Sequence, residues 1–127
     1  MLFVYPAIFH HEDDSYWVEF PDLPGCQTFG SNINETVAFA QEALSGYLIT
    51  IFEEGQLLPV PSELSSIVCD GDSFVSLVSC DVKQCKDTKA VKKTLTIPSW
   101  LNDRATAMGI NFSQVLQDAL INKIQYR

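Results

Sequence analysis

An α+β fold is predicted, a β-β-β-α-β unit followed by a smaller β-α-α unit, and three features of the sequence predict it. Short apolar or alternating segments crowd the first thirty residues, one long segment with helical spacing follows, and the last forty pair an alternating segment with two short amphipathic ones. Strands grouped before a single helix favour antiparallel hairpins over a repeated βαβ crossover. At 127 residues the chain can enclose one modest core, or a small domain plus an appendage that completes its packing elsewhere.

The first strand is the apolar run "MLFVYPAIF", and "HEDDS" reads as the turn that leads into "YWVEF". In that second segment Tyr16, Val18 and Phe20 take one face while Trp17 and Glu19 take the other, the period of a half-buried strand. Two prolines and a glycine in "PDLPG" break the chain, and "CQTFG" is long enough for a third strand. Asn32 followed by Glu35 has the form of a helix N-cap and its reciprocal partner. Val37, Ala40, Ala43, Leu44, Tyr47, Leu48, Ile51 and Phe52 then recur as one apolar stripe, leaving Glu42, Thr50 and Glu53 nearer water. Gly55 stops this helix, two prolines enforce an extended passage, and "SFVSLVSC" supplies the fourth strand.

"DVKQCKDTK" has no apolar period, so the expected boundaries are a first domain at 1–81, a linker at 82–89 and a second domain at 90–127. In the second domain "VKKTLTIP" alternates, with Leu95 and Ile97 inward and Lys92, Thr94 and Thr96 outward. Pro98 ends the strand, Ser99 caps a helix edged by Leu101, Ala105 and Met108, and Gly109 is placed for a left-handed turn. A last helix opens near Asn111, with Phe112, Val115, Leu116, Ala119, Leu120 and Ile124 as its stripe.

Charge divides the chain at the same place. Residues 1–82 hold thirteen Asp and Glu and no Lys or Arg, whereas 83–127 hold eight basic residues and only three acids, so a net −8 conceals −13 and +5. Screening over about 8 Å at physiological salt lets each part present its own field. An acidic surface repels nucleic acid and attracts basic proteins; a lysine-tipped strand does the reverse. The N-terminus lacks the basic flank of a signal peptide and no apolar run approaches the roughly 18 residues of a membrane span, so cytosol is the expected compartment. Cys26, Cys69, Cys80 and Cys85 form no C-x-x-C pair and have no histidine at zinc spacing, which predicts reduced thiols, no structural metal and no cofactor.

One strand and two helices cannot satisfy themselves. The strand lacks a partner for its N–H and C=O groups and the stripes have too little to cover, which predicts a homodimer through the second domain. Antiparallel pairing of two such strands puts Lys92, Thr94 and Thr96 of both chains on one face, a ribbon that fits a major groove of double-stranded DNA.

The alternating strand ending in Pro98, Leu101 after it, the Met108-Gly109 turn and "NFSQVL" together resemble the ribbon-helix-helix family. That resemblance implies operator binding, with Lys92, Thr94 and Thr96 as base-contacting residues and Asn111, Phe112 and Ser113 around a DNA phosphate, a ligand the positive end of a helix favours. Separately, "YPAIFHHEDDSYWVEFPDLPGCQTFGSNINETVAFAQEAL" resembles the HicB antitoxin family in its first strand, acidic turn, aromatic strand, "FPDLPGC" and helix entry. This resemblance implies a truncated RNase H-like β-β-β-α-β fold, no enzymatic activity of its own, and binding to HicA, a small basic toxin that cleaves mRNA. Glu12, Asp13, Asp14, Glu19 and Asp22 are then the expected toxin-binding acids.

Competing readings are weaker on physical grounds. Glu12, Asp13, Asp14, Asp70 and Asp72 as magnesium ligands of a nuclease would require consecutive turn residues to converge on one ion, beside a body with no cation to hold RNA. His10 and His11 fall on opposite strand faces and cannot share a ligand or a general-base role. A tail that only dimerises is the plainer account of residues 90–127. A ribbon-helix-helix repressor that senses a small ligand in a pocket lined by "FPDLPG" and the apolar helix face, without a toxin partner, is the alternative function.

Overall fold

The computed structural model describes residues 2–82 and 90–125. Of the expected linker at 82–89, residues 83–89, with Cys85 among them, lie outside the described residues. The strands are β1 (Leu2–Glu12), β2 (Ser15–Glu19), β3 (Gln27–Gly30) and β4 (Phe74–Asp81), with helix α1 (Ile33–Glu53) and a 3₁₀ turn (Leu64–Ser66) between β3 and β4. Two further helices follow, α2 (Ser99–Ala107) and α3 (Phe112–Ile124). The sheet has the order β3-β2-β1-β4 with every neighbouring pair antiparallel.

β1 runs three residues further than the apolar run suggests. His10, His11 and Glu12 pair with Trp17, Tyr16 and Ser15, so only Asp13 and Asp14 form the turn. Both have positive φ, 48° and 64°, the signature of a two-residue hairpin whose twist matches the strands and whose positions tolerate Asp. Phe3, Tyr5, Ala7 and Phe9 of β1 join Val18, Phe20, Val78 and Cys80 in the core beneath α1.

From α1 the buried residues are Thr36, Ala40, Leu44, Leu48 and Ile51. Val37, expected in the stripe, is exposed, because Thr36 turns inward and gives its hydroxyl to the Asn32 carbonyl at 2.7 Å. Burying each leucine stabilises by about 1.5–3 kcal/mol. The cap is only half reciprocal: Asn32 Oδ1 accepts from the Glu35 amide at 2.9 Å, but the Glu35 carboxylate takes its hydrogen bond from the Ser31 hydroxyl. At the other end Gly55 adopts φ 71°, and Gly55 and Gln56 donate to the carbonyls of Phe52 and Ile51. Those two bonds are the Schellman closure that a left-handed residue permits.

Val82 is buried in the core under α1. Residues 90–98 are exposed and carry no strand. The expected strand does not form, and none of the four strands of the sheet pairs with this segment. Pro98, not Ser99, is the N-cap of α2, and Ser99 is its first helical residue. Gly109 has φ 70°, and the Gly109 and Ile110 amides repeat the Schellman pair on Thr106 and Ala105.

Candidate functional site

The acids expected to bind a partner do not gather in one place. Glu12, Asp13 and Asp14 sit at the tip of the β1–β2 hairpin, where the Ser15 hydroxyl closes on the Glu12 carbonyl at 2.9 Å. Glu19 lies at the far end of β2, about 13 Å along the strand at its normal rise. Its carboxylate is 3.5 Å from His10 Nε2, a buried nitrogen that makes no hydrogen bond. His10 Nδ1 pairs with the Ser73 hydroxyl at 2.7 Å and its ring stacks on Trp17 with centroids 3.9 Å apart. His11 stacks instead on Tyr16, so the two histidines do face opposite ways. Asp22 is occupied within the chain, accepting from the Ser62 amide at 2.9 Å and from the Ser62 hydroxyl, and so ties the β2–β3 loop to the passage after α1.

A groove lies between α1 and the β2–β3 loop that contains "FPDLPG", with a volume of about 490 Å³. Its lining includes Cys26, Glu42, Ala43, Gly46, Tyr47 and Glu54. The Tyr47 hydroxyl donates to the Pro24 carbonyl at 2.8 Å and holds the loop against the helix. The Cys26 thiol points at the Ala43 carbonyl at 3.7 Å, and burial, with Cys80 as a lesser cause, pushes its pKa up from 9.0 to about 11. Such a thiol stays protonated and is a poor nucleophile. A glycine inside the helical segment, Gly46, is the signal the sequence carries for this groove.

In the tail, Lys92, Thr94 and Thr96 are exposed on the segment before α2. Asn111 caps α3, its side chain accepting from the Gln114 amide at 3.1 Å. Phe112 and Ser113 are the first two helical residues, whose N–H groups have no carbonyl within the helix. Ala105 is buried and Ile121 packs against the core of the body. Leu95, Ile97, Leu101, Val115, Leu120 and Ile124 are exposed, as are Trp100 at 67% and Met108 at 68%. Among the described residues no three His, Cys, Asp or Glu side chains group as metal ligands, and no helix is long and apolar enough to cross a membrane.

The class defined by these features is a small acidic α+β domain carrying a helical appendage with exposed apolar faces. The family model described as the HicB_like antitoxin of bacterial toxin–antitoxin system matches residues 5–119. The chain therefore belongs to the HicB-like antitoxin family. It is 34% identical over 73 residues to antitoxin HicB 2 of Photorhabdus laumondii, covering 58% of this chain and 48% of that protein. A chain of the toxin–antitoxin complex from Streptococcus pneumoniae is similar at 36% identity and a TM-score of 0.63, covering 97% of this chain and 99% of that one. The Burkholderia pseudomallei antitoxin HicB shares the fold, with a TM-score of 0.66 at 24% identity, over 96% of this chain and 98% of that one.

Proposed function

We propose that the protein is an antitoxin that binds and neutralises a small basic HicA-type toxin through residues 1–82 and represses its own operon by holding operator DNA through a dimeric tail. The observation that carries the reading is the division of charge: the body with thirteen carboxylates and no Lys or Arg belongs to an antitoxin family. Such a field speeds capture of a cationic protein and repels nucleic acid. The β-β-β-α-β order of the body is consistent with the truncated RNase H-like description. The protein acts by binding and performs no catalysis.

For the tail, the exposed apolar side chains from Leu95 to Ile124 supply the reason to pair. Two copies of the segment 91–97 joined antiparallel form the ribbon of a ribbon-helix-helix, with Lys92, Thr94 and Thr96 toward base edges. Asn111, Phe112 and Ser113 at the start of α3 receive the phosphate. A dimer puts two toxin-binding bodies beside one operator, so toxin occupancy changes how many DNA-binding units assemble. Of the proposed toxin-facing acids, Glu12, Asp13 and Asp14 are exposed and Glu19 and Asp22 half-buried, and Asp22 acts through the loop it holds.

Co-expression with the toxin and an operator gel shift test the reading. Wild type holds the toxin in a stable complex and shifts the operator; Lys92→Ala with Thr94→Ala abolishes the shift and keeps the complex. An unchanged shift removes the ribbon from the DNA interface, and failure to hold any toxin removes the antitoxin role.

A further inference from the structure

We infer that the groove between α1 and the β2–β3 loop receives a cationic segment of the protein partner, with Gly46 as the point of close approach and Glu42 and Glu54 as the carboxylates that meet its lysine or arginine side chains. The inference rests on the antitoxin reading and adds to it a contact surface distinct from the hairpin acids. Its first support is Gly46 itself. This residue is exposed inside α1, and a Cβ built on it would meet no atom within 4 Å. Glycine inside a helix costs about 0.5–1 kcal/mol relative to alanine, and no packing contact in the fold requires it here. What the missing side chain provides is a flat stretch of helix surface, on which another chain can lie close.

The second support is the groove around that flat stretch. It holds about 490 Å³, with Tyr47 and Cys26 in its lining, Glu42 one turn before Gly46 on α1 and Glu54 at the C-cap of that helix. It opens beside Gln27, the first residue of β3, and β3 is an edge of the sheet. An extended segment entering there meets both side-chain pockets and edge-strand backbone.

Charge selects the occupant. The two carboxylates belong to a body without Lys or Arg, so neither is neutralised from within it by a permanent cation. A second copy of the same body would bring thirteen more acids toward them, whereas a basic protein brings the complement.

The experiment titrates the full chain with a catalytically inactivated HicA-type toxin, the partner of the proposed function. Gly46→Arg fills the groove and inverts its charge; it lowers affinity by about thirtyfold or more while leaving the melting midpoint at or above wild type. Glu42→Lys with Glu54→Lys has a comparable effect. Asp70→Lys with Asp72→Lys makes the same charge change outside the groove and shifts affinity by less than about threefold. Near-wild-type binding by Gly46→Arg, or equal losses in the groove and control pairs, overturns the inference and leaves the antitoxin reading standing. Self-association lost in place of toxin binding assigns the groove to a second copy and overturns it too. A wild-type chain that ignores the toxin overturns both.

Discussion

The body and the tail contain the same kinds of side chain and dispose of them in opposite ways. In residues 2–82 the leucines and aromatics that the periodicity marks go inside: Leu44, Leu48, Phe3 and Phe9 are all buried. In residues 90–125 most side chains marked by the same periodicity, Leu101, Val115, Leu120 and Ile124, remain exposed; Leu116 is half-buried, Ile121 packs against the core of the body, and only Ala105 is fully buried. The difference is one of partners. A four-stranded sheet gives α1 a surface wide enough to cover its stripe, whereas two short helices after an unpaired segment offer each other too little. An apolar period thus identifies a face that must be covered without saying whether the covering comes from the same chain.

That contrast is sharpened first by Leu44→Ala. The side chain is fully buried, and its truncation is expected to cost about 2–5 kcal/mol of stability by urea unfolding. Leu120→Asp in the tail makes the complementary test: it is expected to weaken self-association at least tenfold by analytical ultracentrifugation while the melting of the body stays put. If Leu120→Asp destabilises the body as much as Leu44→Ala, the tail is part of one core and the contrast fails. A smaller effect separates local from global support for α1. Asn32→Ala removes the cap on the Glu35 amide and is expected to cost about 1 kcal/mol.

The smallest expected effect is alkaline. Burial raises the folded Cys26 pKa to about 11, so the protonated thiol is favoured in the native state. Its contribution is fully present below pH 9.0, the ordinary thiol value, and is lost as pH rises from there through about 11. Melting followed between pH 8 and pH 11 should fall for wild type and fall less for Cys26→Ala; parallel curves would show that the thiol does not control this range.

Much of the body was legible one segment at a time. The alternation in "YWVEF", the Asn32 cap and the glycine stop at Gly55 are local devices, and each appears where its chemistry requires. The β1–β2 turn was read too wide because His10 and His11 are polar enough to suggest a loop, yet each is held in the strand by stacking on Trp17 or Tyr16 from the neighbouring strand. Val37 was misplaced because helical spacing allows either neighbour to begin a stripe, and the Thr36 hydroxyl found a backbone acceptor that let it go inside. Asp22 looked like one more surface acid until Ser62, forty residues away, was folded against it.

By itself the sequence determined the elements of the body, the two helices of the tail, their order, and the separation of acidic from basic charge, because strand period, helix period, caps and charge are properties of neighbours along the chain. Only the tertiary structure decided which acids stand apart, that Glu42, Gly46 and Glu54 border one groove, and that the tail helices keep their apolar faces exposed in a single chain. Those outcomes depend on what distant segments bring to the same place, and no local pattern carries that information.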